Sequence, residues 1–79
     1  MTLETLYDVI ARVKQPDGPL TPDTRFVDDL GLDSLTVMEL VAEVEDEFDI
    51  NVPLNLLPEL FTVQQLADTI DRLRSEQNG

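Results

Sequence analysis

The chain has 79 residues and a formal net charge of -12, and it contains neither cysteine nor histidine. A chain this short buries only about 60% of its unfolded surface, and the missing residue types exclude disulfides and the usual zinc ligands. Twelve acidic residues lie between residues 26 and 71, where there is no lysine or arginine. Such a surface repels nucleic acid and suits basic patches on other proteins.

The first residues do not predict a signal peptide, because Glu4 and Asp8 interrupt the apolar positions. No apolar segment approaches the ~20 residues that span a bilayer. We therefore expect a monomeric cytoplasmic protein without stable membrane insertion, in which residues 1–79 form one domain.

The apolar spacing predicts an all-α fold, a small four-helix bundle with three main helices, one short helix and a long loop after the first helix. The first helix is expected over about residues 2–14, with Thr2 as its cap. Its apolar stripe consists of Leu3, Leu6, Ile10 and Val13.

A long loop is expected over residues 15–32, because residues 15–24 contain three prolines and a glycine. Phe26, Val27 and Leu30 are expected to attach the end of this loop to the core. Gly31 suits a turn that requires a positive φ.

The second helix is expected over about residues 34–48, with Asp33 as its N-cap. At ~100° per residue the sequence divides into two faces. The core face comprises Val37, Leu40, Val41, Val44 and Phe48. The opposite face comprises Leu35, Met38, Glu39, Ala42, Glu43 and Asp46. Two large apolar residues are therefore expected among carboxylates beside Ser34.

A short helix is expected over about residues 55–60, capped by Asn55. Thr62 and Gln65 have the spacing of a capping box, which predicts a last helix over about 63–75 and a frayed tail over 76–79. Its buried stripe is Val63, Leu66, Ala67, Ile70 and Leu73.

Ser34 has no evident means of activation as a nucleophile. A serine hydroxyl needs a base, the chain has no histidine, and Lys14, its one lysine, belongs to another helix. We therefore expect no catalytic residue and no enzyme activity. Two interpretations stay open: Ser34 caps the helix, or it accepts a group from another enzyme. A helix N-terminus accommodates a phosphate.

One long stretch of the chain carries a recognisable set of motifs. Residues 26–53 read FVDDLGLDSLTVMELVAEVEDEFDINVP. This stretch resembles the acyl carrier protein family, and the resemblance extends over nearly the whole chain. The matching positions are Phe26, Asp29-Leu30-Gly31, Asp33-Ser34-Leu35, Glu39-Leu40, Glu47-Phe48-Asp49, Val52-Pro53, Thr62-Val63 and Leu66.

The resemblance implies that a phosphopantetheinyl transferase attaches the 4′-phosphopantetheine of coenzyme A to Ser34. The thiol of this arm would carry acyl groups as thioesters. It would present them to acyl-loading and acyl-using enzymes, such as a ligase, a ketosynthase or an acyltransferase, through basic patches on those enzymes. The implied partner-recognition residues are Asp33, Leu35, Met38, Glu39, Glu43 and Asp46. The implied lining of an acyl pocket is Phe26, Leu40, Val41, Val44, Val52, Leu60 and Leu66.

The match departs from carriers of fatty acid synthesis at two places. Position 36 is threonine where those carriers commonly have an acid, and residues 54–59 are more apolar than expected. These departures favour a specialised pathway over housekeeping fatty acid synthesis.

The alternative functions are an aminoacyl or peptidyl carrier with the same arm, an acidic adaptor bundle without a prosthetic group, and a weak binder of divalent ions. No dedicated metal site is expected, because the EF-hand ligand spacing is missing.

Overall fold

The computed structural model describes residues 2–78, which form three α-helices and one 3₁₀ helix. The α-helices are α1 (Thr2–Val13), α2 (Ser34–Phe48) and α3 (Val63–Asn78), and the 3₁₀ helix spans Leu54–Glu59. Within that range the β-type pairing is an isolated bridge between Arg25 and Thr62. The predicted all-α class, with a long loop after the first helix, is confirmed.

The core is an apolar cluster to which the three α-helices, the long loop and the segment after α2 contribute, and Leu57 of the 3₁₀ helix packs against it. Among the described residues no buried side chain is polar or charged. The predicted stripes of α2 and α3 face this cluster, although Val37 and Phe48 are only partly buried. The buried members are Leu6, Val9, Ile10, Phe26, Leu32, Leu40, Val41, Val44, Ile50, Val52, Leu60, Val63, Leu66, Ala67, Ile70 and Leu73.

In α1 the predicted stripe faces the core, with Leu6 and Ile10 buried and Leu3 and Val13 partly buried. The predicted capping role of Thr2 is wrong. Thr2 is the first residue of the helix, and its hydroxyl donates a hydrogen bond to the Asp71 carboxylate on α3. This hydroxyl therefore joins two helices instead of satisfying the end of its own.

The long loop is attached to the start of α3 by backbone hydrogen bonds. The Phe26 N–H donates to the Phe61 carbonyl at 3.0 Å, and the Val63 N–H donates to the Thr24 carbonyl at 3.0 Å. Phe26 is buried and Leu30 partly buried, as expected. The prediction for Val27 is wrong, because its side chain is 62% exposed. Phe26 and Val27 lie in a hydrogen-bonded turn, in which the Gly31 N–H donates to the Val27 carbonyl at 3.0 Å. This turn directs Phe26 into the core and leaves Val27 exposed.

The short helix begins one residue earlier than predicted. The Leu56 N–H donates to the Pro53 carbonyl at 3.0 Å, which closes the first 3₁₀ turn and places Asn55 inside it. The predicted cap at Asn55 is therefore wrong, and the helix has no side-chain cap hydrogen bond.

The last helix begins with the predicted capping box. The Thr62 N–H donates to Gln65 Oε1 at 3.0 Å, and the Gln65 N–H donates to Thr62 Oγ1 at 3.2 Å.

The helix also continues to Asn78, so the predicted fraying from residue 76 is wrong. The Gln77 side chain accepts a hydrogen bond from the Asn51 N–H and donates one to the Asn51 carbonyl, each at 2.9 Å. This pair of bonds ties the last turn of α3 to the segment after α2. Gly79, the last residue of the predicted tail, lies outside the described residues.

Candidate functional site

Ser34 is the first residue of α2, and Asp33 caps this helix. Asp33 has an extended backbone conformation, and its Oδ1 accepts hydrogen bonds from the Thr36 N–H and the Thr36 hydroxyl, both at 2.8 Å. The predicted N-cap is therefore confirmed. Ser34 is exposed, and its hydroxyl forms no hydrogen bond among residues 2–78. Because Asp33 caps the helix, the Ser34 hydroxyl is not needed for this role.

The cap is expected to depend on pH. Hydrogen bonds from the Thr36 N–H and hydroxyl lower the pKa of Asp33 below its ordinary value. A carboxyl whose pKa is lower in the folded state stabilises the fold above its unfolded pKa, ~3.9 for aspartate, and this stabilisation is lost as pH falls through the folded pKa. We expect the difference in melting temperature between wild type and Asp33→Asn to shrink between about pH 6 and pH 2.

Asn is the matched variant, because its amide oxygen still accepts the Thr36 N–H bond but does not titrate. Self-repulsion among the other acids decreases equally in both proteins, so it cancels in the difference. A difference that stays constant over this range would show that the ionised form of Asp33 has no special role in the cap.

A compact turn directly precedes Asp33 and Ser34 in the chain. The Gly31 N–H donates to the Val27 carbonyl at 3.0 Å, and the Leu32 N–H donates to the Phe26 carbonyl at 3.0 Å. Gly31 has φ +67°, the left-handed conformation predicted for it. Lys14 lies against this turn, with Nζ 3.4 Å from the position that a Cβ on Gly31 would occupy. The sequence had not indicated this proximity. Leu32, buried in the core, anchors the turn directly before the cap.

The outer face of α2 combines acidic and apolar side chains in the open. Leu35 is 66% exposed and Met38 is 51% exposed. The carboxylates around them are also exposed, namely Asp33, Glu39, Glu43 and Asp46. An exposed apolar pair among like charges is a typical arrangement for a transient protein interface.

One edge of this face is partly neutralised by α1. Arg12 donates a hydrogen bond to Glu47 Oε1 at 2.6 Å. Residues 26–71 contain no lysine or arginine, so Glu47 has no cation near it in sequence. It pairs with Arg12 because α1 packs against α2. Arg12 therefore offsets part of the negative charge on the side of α2 that faces α1.

An open groove with a volume of about 340 Å³ begins at Ser34 and runs between α2, the 3₁₀ helix and the loop. Its apolar walls include Val27, Val37, Met38, Leu57, Leu60 and Phe61. Of the residues predicted to line an acyl pocket, Leu60 borders this groove. The remaining six are buried members of the core, namely Phe26, Leu40, Val41, Val44, Val52 and Leu66.

Several of the groove residues, among them Val27 and Phe61, had not been predicted as part of the site. Val27 follows buried Phe26 in a turn, and Phe61 follows buried Leu60 in an extended segment. The alternation of side chains in an extended segment could have identified Phe61, but it does not apply to Val27. Only the pairing of the two segments shows that both side chains meet beside Ser34.

Comparison with known proteins identifies the family. Residues 4–70 match the model of the phosphopantetheine attachment site family. The acyl carrier protein of Chlorobium phaeobacteroides is 40% identical over 68 residues, which cover 85% of this chain and 87% of that protein. The chain belongs to the acyl carrier protein family. The acyl carrier protein of Aster yellows witches'-broom phytoplasma is 45% identical over 68 residues, covering 85% of this chain and 90% of that protein.

A solved structure has the same fold. A Mycobacterium tuberculosis protein described as an acyl carrier protein superimposes with a TM-score of 0.85 at 32% identity, covering 91% of this chain and 97% of that chain. The protein is thus a phosphopantetheine-bearing acyl carrier, and 4′-phosphopantetheine is its prosthetic group. Carriers of this family are generally not catalysts, and they interact with a phosphopantetheinyl transferase and with biosynthetic enzymes. No helix within residues 2–78 is long and apolar enough to cross a membrane.

The chain's own residues fit such a prosthetic group. The Ser34 hydroxyl is exposed at the N-terminal end of α2, where helix N–H groups and the helix dipole favour a phosphodiester. The groove beside it offers an apolar surface to the rest of the arm.

Proposed function

We propose that Ser34 is the residue that carries the arm. The chain contains two serines, Ser34 and Ser75. Ser34 lies inside the matched range of residues 4–70, and Ser75 lies outside it. Attachment of phosphopantetheine by a phosphodiester requires a hydroxyl, and Ser34 presents one at a helix N-terminus with no internal partner. Its position within the family match is the observation that carries the proposal.

Attachment needs little from the carrier itself. The Ser34 hydroxyl gives its proton to a base on the transferase, and its oxygen forms the new bond to phosphorus while the nucleotide part of coenzyme A leaves. The carrier holds the hydroxyl at the rim of a rigid turn, with the Asp33 cap next to it. The attached group supplies the thiol on which acyl groups are held as thioesters. The chain has no cysteine, so the thiol comes from the attached arm, and we propose that the chain acts as a carrier and not as an enzyme.

The outer face of α2 is the surface that we assign to partner enzymes. Leu35 and Met38 provide apolar contacts, while Asp33, Glu39, Glu43 and Asp46 attract arginine and lysine on the partner. Electrostatic fields of this kind raise association rates by about 10- to 1,000-fold, whereas each exposed ion pair contributes only about 0–1 kcal/mol. Several carboxylates therefore act together, and the apolar pair determines how long the partner stays. The partners are the transferase and acyl-loading or acyl-using enzymes, met in the cytoplasm.

Acyl cargo suits this carrier better than aminoacyl cargo, because aminoacyl carriers tend to be less acidic than a chain of net charge -12. The pathway is proposed to be a specialised one. Position 36 is threonine, and its hydroxyl is used in the Asp33 cap at 2.8 Å. The 3₁₀ helix carries Glu59 as its one charged residue, so a partner that reaches it meets an apolar surface and not an acidic one.

The absence of cysteine gives a direct test of the arm. The unmodified chain has no thiol, so thiol titration of the unfolded protein reads zero. After incubation with coenzyme A, magnesium and a broad-specificity phosphopantetheinyl transferase, we expect one thiol per chain after removal of free coenzyme A. Incubation without the transferase is the control. A folded chain that still reads zero thiols would contradict the proposal.

A further inference from the structure

Lys14 is the one lysine of the chain, and its amine lies close to the attachment site. It directly follows α1 and is exposed, and its backbone N–H donates to the Ile10 carbonyl at 2.8 Å. This bond fixes Lys14 to the last turn of α1. Its Nζ lies 3.4 Å from the position that a Cβ on Gly31 would occupy. Because Gly31 belongs to the turn that precedes Ser34, the fold brings a primary amine near the proposed arm.

The Lys14 amine forms no ion pair within residues 2–78. The two carboxylates of the neighbouring turn are both occupied by Arg25. Its guanidinium pairs with Asp28 at 3.2 Å, and its backbone N–H donates to Asp29 Oδ2 at 2.7 Å. A carboxylate partner would stabilise the ammonium form of a lysine, which is not nucleophilic. Without such a partner, the amine is available as a nucleophile.

We propose that Lys14 is a self-acylation site, an inference that rests on the proposed attachment of the arm to Ser34. The neutral Nζ attacks the carbonyl carbon of the thioester on the arm. A C–N bond forms as the C–S bond breaks, and the sulfur leaves as a thiolate. The proton that the nitrogen loses passes through solvent to the thiolate. The products are an amide on Lys14 and an arm with a free thiol, so no other reactant is needed.

The arm is long enough to reach this amine. Three trans peptide links join the Cα atoms of Gly31 and Ser34, so these atoms are at most about 11 Å apart. Adding the 3.4 Å approach of Nζ and a C–C bond of about 1.5 Å places Nζ no more than about 16 Å from the Ser34 Cα. The arm has about fourteen bonds between the serine oxygen and the sulfur, which span roughly 16 Å when extended like a peptide. The thioester can therefore meet Nζ.

The sequence contains few other groups that could take the acyl group. It has no cysteine and no histidine. Arginine side chains stay protonated, and hydroxyl groups need a base before they attack. Lys14 is therefore the side chain that can react without help. Its acylation removes one positive charge and ends delivery of that acyl group, because a partner enzyme cannot take over an acyl group from a stable amide as it can from a thioester.

The fate of a loaded acyl group tests this inference. The wild type is loaded with an acetylated arm from acetyl-coenzyme A and the transferase, and free acetyl-coenzyme A is removed. It is then incubated at about pH 9, where more of a lysine amine is neutral than at pH 7. Neutral hydroxylamine afterwards cleaves thioesters and leaves amides intact. We expect a growing fraction of chains to keep one acetyl group, which peptide fragmentation locates on Lys14.

Lys14→Arg is the matched variant, because it keeps the positive charge and cannot form the amide. It is expected to load like the wild type and to keep no acetyl group after hydroxylamine. A short flexible tether gives a millimolar effective concentration. At about 10 µM, Ser34→Ala mixed with equimolar acetyl-coenzyme A should therefore acetylate Lys14 roughly 100-fold more slowly than the loaded wild type.

Three results would overturn the inference. The wild type could keep no acetyl group after hydroxylamine, or Lys14→Arg could keep as much as the wild type. Alternatively, the rate constant could fall on about tenfold dilution, which would show transfer between molecules and not within one. If the mass shows no acetylated arm after loading, the proposed function itself fails, and this outcome is visible before the incubation begins.

Discussion

Ser34→Ala is expected to abolish attachment of the arm, whereas Ser75→Ala is expected to load like the wild type. Both residues are exposed serines in helices, so the two variants remove the same hydroxyl group from exposed positions. Removing the hydroxyl at position 34 removes the only oxygen from which we expect the phosphodiester to form. The readout is incorporation of a fluorescent coenzyme A analogue by the transferase.

The fold of Ser34→Ala should remain intact, because Asp33 and not Ser34 makes the capping bond to the Thr36 N–H at 2.8 Å. Its free energy of unfolding should lie within about 0.5 kcal/mol of the wild type, as for most surface substitutions. Circular dichroism and thermal melting check this, so that a lost label cannot be attributed to unfolding. A Ser34→Ala protein that still takes up one label per chain would show that the arm is attached elsewhere.

Leu40→Ala and Leu35→Ala are expected to affect opposite properties of the carrier, although both lie on α2. Leu40 is 1% exposed, and truncating a buried leucine costs about 2–5 kcal/mol. A chain of this size has a total stability of about 4–12 kcal/mol, so Leu40→Ala should lose much of it. Leu35 is 66% exposed, and its truncation should change the free energy of unfolding by no more than about 0.5 kcal/mol. Urea denaturation measures both.

The rate of arm attachment by the transferase tests whether Leu35 contacts partner enzymes. If Leu35 is an apolar anchor for partners, its truncation should lower kcat/KM for arm attachment by about tenfold, equivalent to ~1.4 kcal/mol of binding energy. The effect should appear mainly in KM, because Leu35 touches the partner and not the reacting oxygen. An unchanged kcat/KM in Leu35→Ala would remove this residue from the partner surface.

The regular part of the fold could be predicted because it follows local rules. The 3.6-residue spacing on α2 separated Leu40 from Leu35, and the structure places them in the core and in solvent. Capping at Asp33 and at Thr62 with Gln65 was predicted from side chains that bond within one helical turn. In each case the interacting groups are neighbours in sequence, so the pattern contains the information.

Several of the unpredicted features depend on residues that are distant in sequence. Gln77 extends α3 because it reaches the Asn51 backbone, and Arg12 neutralises Glu47 because α1 packs against α2. Val27 and Phe61 form one surface only after their two segments pair. No local rule connects these pairs, and so the groove beside Ser34 required a structure.

The two faces of α2 connect fold and function in this carrier. One face fills the core with Leu40, Val41 and Val44, which holds the helix N-terminus in place. The other face, which we propose to be the surface that contacts enzymes, makes no contribution to the core. A carrier that must bind several enzymes in turn benefits from this separation, since changes on the outer face cost little stability.

The central claim is that one phosphopantetheine arm is attached through Ser34, and peptide mapping of the loaded wild-type protein tests it most directly. Intact mass is recorded before and after incubation with coenzyme A and the transferase, and the modified peptide is then fragmented. We predict a gain of one phosphopantetheine per chain, located on the peptide that contains Ser34. A folded chain that gains no mass, or one whose added group maps to Ser75 or to a threonine, would contradict it.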